Sequence, residues 1–229
     1  MVDMTTEMQN TDNVSVAKGI REATRSGWMW IAPLGTKLPE TAVEKLDPAF
    51  QGTGFISSDG LVEPAALSLG DPFTDANGDT ISTADPTYNK QWTGTFQEYT
   101  NTTVIAALFG KEQVSFDPAN GEIHVDEKAI TLDNHVIVVD EVLSATQDFP
   151  QGRRARYVMP KAQIALTDDI THNSTTLLGY GFTVTAYSIP GYPPQRRFIQ
   201  IAKPTGGSDS GTNGSGTSNA SASTQKSAK

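Results

Sequence analysis

Cysteine is absent from the 229 residues, which removes disulfides, thiolate nucleophiles and cysteine-ligated zinc from consideration. Long apolar runs are absent too: nothing approaches the roughly 18 residues that a membrane-spanning helix needs. The first residues, MVDMTTEMQNTDN, carry neither a basic start nor an apolar segment, so no secretory signal is expected. Positive charge is scarce. Seventeen Lys and Arg stand against 26 Asp and Glu, a net charge of −9. Coating a nucleic-acid backbone needs clustered cations, so that function is disfavoured, although nucleic acid can pass such a surface without sticking. Apolar residues make up only 37% of the chain. A chain of this length can still bury roughly 70% of its unfolded surface. The low apolar share therefore predicts thin β-layers, or a core completed by neighbouring copies.

Catalytic patterns are equally sparse. His124, His135 and His172 stand in no H-E-x-x-H or H-x-H spacing and read as surface or strand residues. Asp75-Ala76-Asn77-Gly78-Asp79 resembles a calcium loop, but its glycine is fourth rather than sixth and no Glu follows at the twelfth position. It reads better as a hairpin turn built on Asn-Gly. Asp140 and Glu141, like Asp168 and Asp169, are adjacent, so on a strand each pair points to opposite faces. No nucleophile elbow, Walker loop or dinucleotide fingerprint is present. The expectation is a protein that is not an enzyme, with no metal and no cofactor.

What is there is mostly strand. Residues 14–26 read as a short helix or an arm. Trp28 to Ala32 is apolar on both faces, so it is either central or covered by another chain. Gly54 to Ser57 predicts a strand turning at Asp59-Gly60. Residues 63–90 are punctuated by Pro, Gly and two Asp-Pro steps and read as a long loop, which in a compact domain implies work or disorder. Trp92 to Tyr99 alternates, with Trp92 and Phe96 on one face. Asn101 to Phe109 predicts the one helix, capped by Asn101 or Thr100 and closed by Gly110. Ala129–Leu132 reads as a short strand, and His135–Leu143 as one buried on both sides. In residues 153–169, Ala155, Tyr157 and Met159 are apolar at odd positions, then Ala162, Ile164 and Leu166 at even ones. That one-residue slip at Pro160 predicts a β-bulge. Leu177–Tyr187 alternates again, and Phe198–Ala202 closes the sheet. Arg153, Arg154 and Arg156 precede the slip. They serve either as gatekeepers on an edge strand or as contacts to acidic groups of a neighbouring subunit. Residues 204–229 are Gly, Ser, Thr, Asn and Ala without apolar periodicity, and read as a disordered tail. The organisation expected is an arm at 1–26, a β-domain at 27–203 containing the 63–90 loop, and the tail.

The ordered set of motifs resembles a known family. Ala32-Pro33-Leu34-Gly35-Thr36-Lys37-Leu38-Pro39 and then Gly54-Phe55-Ile56-Ser57-Ser58-Asp59-Gly60-Leu61 are similar to the start of major tail proteins of long-tailed phages infecting actinobacteria. A polar loop, a strand, the helix ending Leu108-Phe109-Gly110, the segment Arg156-Tyr157-Val158-Met159-Pro160-Lys161-Ala162-Gln163 and the closing Thr183-Val184-Thr185-Ala186-Tyr187 follow in the family's order, over residues 25–202. The resemblance implies a mainly β fold, a β-sandwich or barrel with one flanking helix. It also implies a structural virion protein that forms stacked hexameric rings, the tube that delivers DNA, assembled in the host cytoplasm. Implied partners are further copies, a tape measure protein and a tail terminator; DNA would pass through without specific binding. By this resemblance Leu67, Leu69, Asp71, Pro72, Phe73, Asp85 and Pro86 are candidate inter-ring contacts. Trp28, Trp30, Arg153, Arg154 and Arg156 are candidates within the ring. The alternatives are another virion β-protein, such as a tail terminator or head decoration protein, or a carbohydrate-binding jelly roll using Trp28, Trp30 or Trp92.

Overall fold

The computed structural model describes residues 14–22, 25–129 and 131–202. Residues 1–13 of the expected arm and the whole Gly/Ser-rich segment 204–229 lie outside the described residues. The chain is mainly β, as its alternating apolar pattern predicts. In order come β1 (Lys18–Glu22), β2 (Arg25–Gly27), β3 (Met29–Pro33), β4 (Gln51–Gly52), β5 (Leu67–Ser68), β6 (Pro72–Thr74), β7 (Thr80–Thr83), β8 (Thr87–Tyr88) and β9 (Lys90–Phe96). The helix α1 (Thr102–Phe109) follows, then β10 (Val114–Asp117), β11 (Glu122–Val125), β12 (His135–Leu143), β13 (Arg153–Leu166), β14 (Tyr180–Tyr187) and β15 (Arg196–Ile199).

Nine strands make one antiparallel sheet around the long pair β12–β13. Both central strands change partner along their length. β12 pairs with β3 through His135–Val139 and with β1 at Glu141 and Val142. β13 pairs with β15 through Ala155–Val158 and with β14 through Lys161–Leu166. The sheet therefore forks at both sides and does not close into a barrel. The change of partner on β13 coincides with the predicted bulge. His135 opposes Ala162 and Ile137 opposes Met159, so β13 carries one residue more than β12 there.

That extra residue decides which side chains share a face. Ile137, Val139, Ala155, Tyr157 and Met159 join Ala162, Ile164, Phe182 and Val184 in one core, completed by Trp92, Phe96 and the α1 residues Val104, Ile105 and Leu108. Phe96 and Phe182 stack with centroids 3.8 Å apart. Asn101 caps α1 as expected, its side-chain oxygen accepting from Thr103 N and Val104 N. Gly110 ends the helix with φ 86 but ψ 134, outside the left-handed helical region that the sequence suggested.

A second, smaller core lies on the other face. Trp30, Val138, Val158 and Ile20 are covered there by Leu46, with Leu38 and Phe50 packed alongside. The two-faced strand at Trp28–Ala32 is thus central, and the chain's own segment 34–50 covers it. No neighbouring copy is needed for that. Four other expectations are corrected. Residues 14–26 are neither helix nor arm throughout, because β1 and β2 form a hairpin whose first strand joins the main sheet. Gly54–Ser57 is no strand; the segment touches β9 only through isolated bridges at Ile56 and Val62. The described residues of 129–132 form no strand. The fourth concerns residues 63–90.

Candidate functional site

Residues 63–90 are not a loop but a two-storey β-hairpin. β5 pairs with β8 near the base, β6 with β7 towards the tip, and one register runs through both until it shifts at Thr74. Asp75 closes the tip, its carboxylate accepting from Asn77 N and Asp79 N at 2.9 Å each. Those bonds hold its pKa below the usual carboxylate range, the amide of Asp79 contributing most. The Asn77-Gly78 turn is the one expected, with Gly78 at φ 89. At the waist the two strands approach closely. A Cβ on Gly70 would sit inside the backbone of Ala84, whose N–H donates to Asp71 O at 2.9 Å.

No residue from 64 to 89 is buried. Leu67 and Tyr88 oppose each other in the ladder, 57% and 61% exposed. Leu69, Phe73 and Ile81 are exposed more fully or equally. A two-stranded hairpin is marginal on its own in water. This arm is rooted by charge rather than by apolar burial. Its feet, Glu63 and Lys90, form an ion pair, with Lys90 almost wholly buried. Arg197 on β15 donates to both Glu63 oxygens, at 2.8 and 2.6 Å, and Gln195 donates to one at 2.9 Å. Gln195 in turn accepts from the indole N–H of Trp92 at 2.6 Å. Burial alone would raise the Glu63 pKa; the bonds from Lys90 and Gln195 and the charge of Arg197 outweigh it and lower it. The Arg197 guanidinium also lies 4.8 Å from the Tyr157 ring centroid, and Tyr157 donates to Glu141 at 3.2 Å. Burial pushes the Glu141 carboxyl up.

The candidate contacts divide. Leu67, Leu69, Asp71, Pro72, Phe73 and Asp85 are all exposed on the arm, and so is Pro86. Trp30 is 4% and Arg156 1% exposed, so neither reaches a neighbouring subunit. Arg156 instead makes a buried two-bond pair with Asp140, at 2.6 and 3.0 Å, and donates to the carbonyls of Thr41 and Glu44 at 2.9 and 2.7 Å. Burial pushes its pKa down to about 10, which leaves it charged at neutral pH. Its work is to clip segment 41–44 over the second core. Arg153 is also buried and donates to Ser15. Trp28 lies against Gly19 of β1, half-buried. Arg154 alone of the trio lines open space, a groove of about 950 Å³ beside the β1–β2 hairpin. Lys18 and Arg21 line it too, with Ile20, Trp28 and Phe55.

The knot at the feet of the arm and the cations of β1 escape a reading by motif. The pairing of Glu63 with Lys90 had one visible signal, since those residues bracket the punctuated segment. Lys18 and Arg21 had none. Among the described residues no group of three or more His, Asp or Glu converges as a metal site. The geometry defines a mainly β protein with an open, forked sheet and an uncovered hairpin arm. Neither a scan against protein-family models nor a search of curated proteins finds a match for the chain.

Proposed function

We propose that this chain is a structural subunit that assembles with copies of itself, in the manner of the tail-tube proteins its motifs resemble. The observation that carries the reading is the arm: a hairpin with five large apolar side chains and no residue buried between its feet. At ~3.3 Å per residue, residues 66–76 reach roughly 35 Å from the sheet. Apolar surface held that far out is a docking element, and unpaired strand borders are completed most simply by identical neighbours. Stacked rings of such subunits, hexameric by the resemblance, form the conduit for DNA in a virion. Tape measure and terminator proteins are the further partners. An acidic bore repels phosphate and lets DNA slide. The glycan-binding alternative loses its platforms, because Trp30 and Trp92 are 4% and 2% exposed.

Negative-stain microscopy of the purified, concentrated protein is the test. Long tubes are expected. Single rings that never stack would point to a terminator. Material that stays monomeric by light scattering, even with virion partners added, would remove the reading.

A further inference from the structure

The arm and the groove beside β1 differ in charge. From residue 64 to 89 the arm carries Asp71, Asp75, Asp79 and Asp85, and no Lys, Arg or His. The groove is lined by Lys18, Arg21 and Arg154, with no carboxylate among its described lining residues. In a chain of net charge −9, cations gathered at one hollow are conspicuous. The groove is also partly apolar, through Ile20, Trp28 and Phe55, the last 69% exposed. Its volume, about 950 Å³, has room for a large side chain and the backbone that carries it.

The two features lie at opposite ends of β9. The arm joins the sheet at Lys90, two residues after β8 ends at Tyr88. The groove wall at Ile56 bridges to Phe96, at the other end of the strand. Six residues of strand separate these ends, roughly 20 Å at ~3.3 Å per residue. An arm that prolongs one end is poorly placed to reach a groove at the other end of its own subunit. It is well placed to reach that groove on a copy stacked above.

We infer that the acidic arm of one subunit docks into the Lys18–Arg21–Arg154 groove of the next copy. This rests on the self-assembly reading and names its contact. Such a contact is heterologous: two different surfaces of the same chain meet, so repetition does not close on itself and the assembly extends along one axis. Apolar arm side chains enter the hollow while Asp71 and Asp85 face its cations. Complementary charge sets partner and register, and weakens with salt.

The test is a charge swap in the full-length protein, read by microscopy and by the critical concentration for polymerisation. Lys18→Glu with Arg21→Glu should raise that concentration by about tenfold or more. Asp71→Lys with Asp85→Lys should do the same. All four changes in one chain should restore assembly. Mixing an arm-deleted chain (residues 66–86) with the groove-reversed chain should give capped pairs and no tubes, since only one arm–groove contact survives per pair. Both altered surfaces are exposed, and circular dichroism with thermal melting checks that each variant folds. If the groove-reversed chain makes normal tubes, this inference falls while the tail-tube reading stands. If reversal blocks tubes and the swap does not rescue them, the arm is not the occupant of the groove. If the unaltered protein never polymerises, the tail-tube reading falls and takes this contact with it.

Discussion

At the residue scale, two close contacts carry more than their size suggests. Gly54 has φ 76, and a Cβ there would lie within the Glu98 carboxylate. That carboxylate accepts from Phe55 N at 3.2 Å and from the Asn101 amide at 2.9 Å. One glycine thus lets the segment leading to the arm lie against the start of the helix. The Arg156–Asp140 pair is the second case. Both side chains are 2% exposed, so removing one strands the other without water. Asp140→Asn should cost about 3–5 kcal/mol in denaturant unfolding. It should also speed hydrogen exchange at residues 41–47, whose carbonyls Arg156 holds. A loss below 1 kcal/mol would mean that the pair is not the clip it looks to be. Three neighbouring arginines look alike in a string of letters. Here one is a buried clip, one is bonded to Ser15 and one lines a groove, and only their tertiary surroundings separate them.

At the element scale, the bulge in β13 is a counting device. Deleting Pro160 would restore a strict two-residue alternation and turn Ala162, Ile164 and their neighbours to the wrong face. The expected outcome is an insoluble or unfolded chain; a soluble protein with native near-ultraviolet circular dichroism would show that the slip is dispensable. The feet of the arm give a pH prediction. Glu63 has a lowered pKa in the folded state, so its contribution is present above the ordinary carboxylate value of about 4.3 and is lost as pH falls through the lower folded value. Glu141 has a raised pKa and works the other way, favouring the fold in acid and losing that contribution as pH rises through its folded value. Acid should therefore loosen the arm at its root rather than dissolve the sheet beneath Tyr157. Hydrogen exchange near residues 62–63 and 89–90 should quicken between about pH 5 and 3. In Glu63→Gln the same amides should exchange independently of pH after correction for intrinsic rates. Identical acid sensitivity in the variant would place the titrating group elsewhere.

At the scale of the whole molecule, the arm is separable from the core. None of residues 64–89 is buried and none joins either apolar cluster. Deleting residues 66–86 should leave the melting temperature within a few degrees of the parent, because surface changes remote from the core cost little. Polymerisation should be abolished, as read by sedimentation; long tubes from the shortened chain would refute the arm's part in assembly. The chain's own segment 34–50 covers β3, so the subunit does not need a neighbour for its core. What a neighbour would supply is cover for the arm and for the sheet borders.

Periodicity alone determined the β class, the single capped helix, the two-sided burial of β12 and the bulge at Pro160. Each is written in the spacing of apolar residues or in one cap, and spacing is local. The hairpin of residues 63–90 escaped because its strands are short and polar and face no core, so no alternation marks them; only the Asn77-Gly78 turn did. The split fates of the arginines, the Glu63–Lys90 root and the cationic hollow at Lys18 and Arg21 were settled by tertiary structure. They depend on which distant segments the forked sheet brings together, and charge, unlike apolar spacing, leaves no period along the chain to reveal its partner.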